Sequence, residues 1–129
     1  MCELVASLSE ADVEELAEYF GAMKRVFAGE PRDATLAAAG ERIHEEQCAI
    51  CHVLPDDESV DSALGIPLHG QHSAYLRIAL NAYLAGDRET LVPAMAEKIR
   101  QLDADDIDAL VNYYASYRPR QAVDDEPGE

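Results

Sequence analysis

A chain of 129 residues with a formal net charge of −16 accommodates one compact domain plus an appendage, and its field repels nucleic acid and anionic lipid. No run of about eighteen apolar residues provides a membrane span, and three cysteines are too few for a disulfide framework. Alanine, leucine and acidic residues dominate, with little period-two alternation, so the expected fold class is all-α.

The charge is unevenly spread. Residues 1–20 carry six acidic side chains and no basic one. Residues 101–129 carry eight against Arg118 and Arg120, while 21–100 carry twelve against eight. Partners with basic docking faces are therefore expected.

In chain order, SLSEADVEELAEYFGAMKRVFA at 7–28 predicts a helix capped by Ser7 or Ser9. Val13, Leu16, Ala17, Phe20 and Phe27 share an apolar face, with acids opposite. A face this wide needs a cover, from this chain or from a second copy in a homodimer. GEPRD at 29–33 is a turn or linker. Residues 34–50 predict the next helix, with Leu36, Ile43 and Ile50 inward.

That helix ends in HEEQCAICH, residues 44–52, which contains C-x-x-C-H. In a thioether haem site, Cys48 and Cys51 meet the two vinyl groups on one porphyrin edge and His52 lies under the iron. A structural zinc site would need His44, His69 and His72 to complete its ligands. A thioredoxin-like redox pair expects a surrounding βαβ pattern, which this sequence lacks. Cys2 is left over, either free or paired between chains.

The acidic stretch 53–70 reads as a solvated loop. A helix follows over 71–86, with Tyr75, Leu76, Ala79, Leu80 and Tyr83 toward the core. A short helix covers about 90–100, and a last one runs 103–117 from an Asp103 cap. The tail 119–129 is acidic and expected to be disordered. Met95 is a candidate sixth ligand to the iron, although a methionine on a helical stretch is more often core filler. His72, His69 and Met23 are the alternatives.

Sliding the chain by 94 residues reveals an internal repeat, with 1–20 aligned on 95–114. Met1, Glu3, Leu8, Asp12, Leu16 and Tyr19 recur identically, while Val5, Val13 and Phe20 face Ile99, Ile107 and Tyr114. A generic amphipathic helix reproduces the apolar part of this match. The offset is about one small haem domain, so the chain is expected to open with the closing helix of a preceding haem domain.

From about 34 to 117 the sequence resembles class I cytochromes c, especially the second half of periplasmic dihaem cytochromes of the c-four type. It is also similar in pattern to the cytochrome subunit of flavocytochrome c sulfide dehydrogenase. The resemblance is carried by CAICH at 48–52, IPLHGQHSAYL at 66–76, AGDR at 85–88 and MAEKIRQLDADDIDALVNYYAS at 95–116. It implies a cytochrome c fold around one covalent haem c, with Cys48 and Cys51 as thioether positions. His52 is then the proximal iron ligand and Met95 the distal one. Pro67 matches a proline whose carbonyl accepts the hydrogen bond of the proximal imidazole, and Gln71, Tyr75 and Arg88 match polar positions near the haem edge.

The resemblance further implies one-electron transfer, without enzymatic turnover, in a periplasmic respiratory or sulfur-oxidising chain. The alternative is a haem enzyme or gas-sensing domain whose distal ligand is displaceable. Two departures stand out: the sequence holds one C-x-x-C-H where dihaem relatives hold two, and residues 1–20 do not read as a signal peptide. The chain is accordingly expected to be a mature form, an excised segment or a truncated product. The expected layout is an appended helix at 1–28, a haem domain at 29–118 and the tail at 119–129.

Overall fold

A computed structural model describes residues 2–60, 65–89 and 92–119. The expectations for the Cys2 thiol, for part of the acidic loop and for the tail beyond residue 119 lie outside the described residues. Among these there are six α-helices and no strand: α1 (Cys2–Val5), α2 (Glu10–Gly21), α3 (Ala34–Ile43), α4 (Ser73–Ala85), α5 (Pro93–Ile99) and α6 (Ala104–Ala115). The architecture is all-α, as the sequence predicts. No helix among the described residues is long and apolar enough to cross a membrane.

The core forms where α3 crosses α6. A Cβ on Gly40 would lie 2.2 Å from the Ala109 carbonyl oxygen, so only glycine allows the two helices this close. Around the crossing Ile43, Leu76, Ile107, Leu110, Val111 and Tyr114 are buried. The inward stripe of α3 is Ala37, Gly40 and Ile43. Leu36 sits about 100° away from Ala37 on the helix and stays exposed, contrary to expectation.

Helix α6 starts on Asp103, as its sequence predicts. The Asp103 carboxylate accepts from the Asp106 N–H at 2.9 Å, and Asp106 returns the bond to the Asp103 N–H at 3.1 Å. Arg77 of α4 pairs with Asp108 on the flank of α6.

After Ile43 the backbone widens into a π-helical turn over His44–Cys48, where the Ala49 N–H reaches the His44 carbonyl at 2.8 Å. The extra residue rotates everything that follows relative to a continued α-helix. Ile50, expected inward, is consequently 89% exposed.

Helix α2 is shorter than its sequence pattern suggests. It begins on Ser9, which forms a capping box with Asp12, and stops at Gly21. Phe27 does not share its face; it lies in an extended stretch with its ring 5.7 Å from that of Tyr117. That stretch is tied down by Ala28 N–H to the Gly70 carbonyl at 2.8 Å and Glu30 N–H to the Ala115 carbonyl at 2.9 Å. Partial burial of one aromatic ring and two backbone bonds replace the further helical turns.

The internal repeat has a structural counterpart. Ser9 corresponds to Asp103, Asp12 to Asp106, and Glu10–Gly21 to Ala104–Ala115, at the same offset of 94. The environments differ. Ile107, Leu110 and Tyr114 are buried, whereas Val13, Leu16 and Phe20 at the matching positions of α2 are 49%, 42% and 64% exposed.

Candidate functional site

The π-helical turn delivers Cys48, and a tight turn then brings Cys51 and His52 back over it. The Cys51 and His52 N–H groups both donate to the Cys48 carbonyl, at 3.1 and 2.9 Å. Cys48 and Cys51 are free thiols, each half-buried. Burial pushes the Cys48 thiol upward, and the Tyr114 hydroxyl beside it partly offsets this. The sulfur is thus kept protonated.

His52 is oriented from behind. Its Nδ1 lies 2.8 Å from the Ile66 carbonyl oxygen. A carbonyl can only accept, so Nδ1 is the donor and Nε2 is the nitrogen left to face a metal. The acceptor is therefore Ile66 and not Pro67, whose carbonyl is taken by the Arg25 guanidinium at 3.0 Å. The loop comes this close because residue 65 is glycine: a Cβ there would sit 2.6 Å from His52 Cε1.

A largely apolar cavity is lined by Cys48, Cys51, His52 and Met95, with Leu68 and Leu80 in its wall. Met95 enters it from the first turns of α5, which opens on Pro93 and is anchored by buried Ile99. The other sulfur and imidazoles considered for the sixth ligand do not line it. His69 is buried elsewhere, His72 stands beside Glu30 before α4, and Met23 is exposed after α2.

The polar positions carried by the resemblance fall outside the cavity too. Gln71 Oε1 accepts from the His72 N–H at 2.9 Å. Arg88 stands over the Tyr83 ring, 4.8 Å from its centroid, and is further held in its charged form by the Tyr75 hydroxyl. Tyr75, expected inward, is exposed because α4 turns Leu76 to the core instead.

The residues suit a flat apolar group with a metal at its centre. Two thiols, an imidazole and a thioether share the cavity, and Gln47 Oε1, also in its lining, is buried without a protein partner. Among the described residues no cluster of three or more His, Cys, Asp or Glu side chains could hold a bare metal ion. The histidines that a zinc site at this motif would draw on, His44, His69 and His72, do not line the cavity.

Sequence reasoning missed the buried imidazoles behind the cavity. His44 and His69 meet edge to face with ring centroids 4.8 Å apart. His44 Nδ1 lies 2.9 Å from the Tyr114 hydroxyl and His69 Nε2 3.2 Å from that of Tyr113. Burial lowers both pKa values, that of His69 from 6.5 to about 3, so both rings are neutral at pH 7. Among glutamates at 45 and 46, nothing local signals that His44 is inside.

Compared with known proteins, the chain matches the model of the family described as Cytochrome C oxidase, cbb3-type, subunit III, over residues 35–113. No curated protein and no solved structure matches it.

Proposed function

The chain belongs to that cytochrome family, whose c-type domains carry electrons on covalent haem c, and from this premise we propose that it is a monohaem, class I one-electron carrier in a periplasmic redox chain. The observation that supports this reading is the convergence of Cys48, Cys51, His52 and Met95 on one apolar cavity. When bound, haem c supplies an iron that passes between ferrous and ferric states. Cys48 and Cys51 would hold the group covalently, and His52 and Met95 would be the ligands to its iron. The leucines of the wall would keep water away from it. The soft thioether favours the reduced state, while the acidic exterior opposes it through a field screened over about 10 Å of salt solution.

Absorption spectra of the oxidised and reduced protein, made with haem-attachment machinery, test this reading. Low-spin spectra with a far-red sulfur-to-iron band are expected, and the haem should survive acid-acetone extraction. High-spin ferric haem that binds carbon monoxide on reduction would instead favour the enzyme or sensor reading.

The opening helices carry a proposal of their own: α1 and α2 are the closing pair of a preceding haem domain, standing apart from the domain at 29–118. The shared caps and bounds of α2 and α6 support it, as does an apolar face of α2 that is not buried among the described residues. Deleting residues 2–21 should leave the spectra and melting temperature of the haem domain unchanged. Extending the deletion through Phe27 should lower the melting temperature, because that ring is packed. A fall already at residue 21 would tie α2 to this domain.

A further inference from the structure

Between α2 and α3 the extended stretch places Arg25 against the loop behind His52. One guanidinium nitrogen, Nη2, donates to the carbonyls of Pro67 at 3.0 Å and His69 at 2.7 Å. Its two hydrogens diverge in the guanidinium plane, which suits two acceptors on one bend of chain. The guanidinium carbon rests 5.3 Å from the centre of the Phe27 ring, and the next clip is the Ala28 bond to Gly70.

The pinned residues follow directly on Ile66, whose carbonyl takes the His52 Nδ1 proton. Side-chain packing does little to fix that carbonyl, since Ile66 is 75% exposed. The loop is fixed instead from its backbone: Gly65 N–H donates to the Cys51 carbonyl at 3.0 Å and Gly70 N–H to the Tyr114 carbonyl at 2.7 Å, and between these ends Arg25 holds 67 and 69.

We propose that Arg25 is a positioning residue for the axial histidine: by pinning the 66–69 bend it holds the Ile66 carbonyl on His52 Nδ1 and thereby sets the basicity of the imidazole. This rests on the reading of His52 as iron ligand. A firm Nδ1–H···O=C bond makes the ring a stronger donor and favours ferric iron, so a loosened bend raises the potential. The arginine acts through two other residues, from a segment outside the haem-binding motifs.

The haem-loaded full chain with Arg25→Lys or Arg25→Gln tests it. Lysine keeps the charge but ends one bond short, whereas glutamine removes the charge as well. In the reduced protein the solvent exchange of the His52 Nδ1 proton, followed by NMR, should quicken about tenfold or more in R25Q, the scale of losing charge-assisted bonds that close a loop. R25K, with charge preserved, should show faster exchange and a higher potential than the parent. Exchange within twofold of the parent in both variants, with the R25K potential unmoved, overturns the proposal. Should R25Q not fold, R25K decides alone. Failure of the ligand reading looks different: His52→Ala would then leave the low-spin spectrum intact.

Discussion

In the haem-loaded protein, Met95→Ala is expected to abolish the far-red sulfur band of the oxidised spectrum and to let the reduced iron bind carbon monoxide. Among the described residues that line the cavity Met95 is the one thioether, and neither His69 nor His72 is there to replace it. With the soft ligand gone the ferrous state loses its preference. The potential should fall on the order of 0.1 V or more, within the roughly 0.8 V over which axial ligands move haem potentials. The fold should survive, because Met95 is only half-buried and Ile99 one turn later anchors α5. Met95→His should restore a low-spin spectrum without the sulfur band and with a low potential. An unchanged far-red band in Met95→Ala takes Met95 off the iron.

Acid should weaken the fold through His69. Its pKa is about 3 in the folded protein, lowered from 6.5 chiefly by burial and further by His44 and Arg25. The unfolded chain therefore binds a proton more readily than the native one wherever pH lies below 6.5. Stability is complete above that value and declines as pH falls, by about 1.4 kcal/mol per unit down to about pH 3. At pH 5 the loss from this side chain alone is about 2 kcal/mol, and His44, shifted the same way, adds to it. Relief of repulsion among the acidic groups works in the opposite direction, so the comparison that isolates the effect is with His69→Phe. Urea midpoints measured at pH 7 and pH 5 should fall in the parent and fall much less in the variant. Parallel declines in both proteins would place the sensitivity elsewhere.

How much of this could be read in advance depended on the range of the interactions involved. The Asp103 cap and the last helix are written in contiguous residues, and the structure places them as expected. The short helix carrying Met95 is likewise local, announced by Pro93. Phe27 continues the apolar pattern of α2, and only its contact with Tyr117 takes it out of the helix. His44 reads as a surface residue until Tyr114, seventy positions later, is folded against it. The shift of the acceptor from Pro67 to Ile66 is one residue of register in a loop. No periodicity governs it, and Arg25 fixes it from 42 residues away.

The π-helical turn before the attachment motif has a consequence for insertions and deletions. Each helical residue advances the side-chain direction by about 100°, so the five positions from His44 to Cys48 work as a phase adjuster between two partners that want different directions. Upstream, Ile43 must point at α6; downstream, both sulfurs must point into the cavity. Removing a single residue from this stretch would restore regular helix and swing the thiols away by about a quarter turn. The same deletion in the extended linker around residue 24 would merely be taken up as slack.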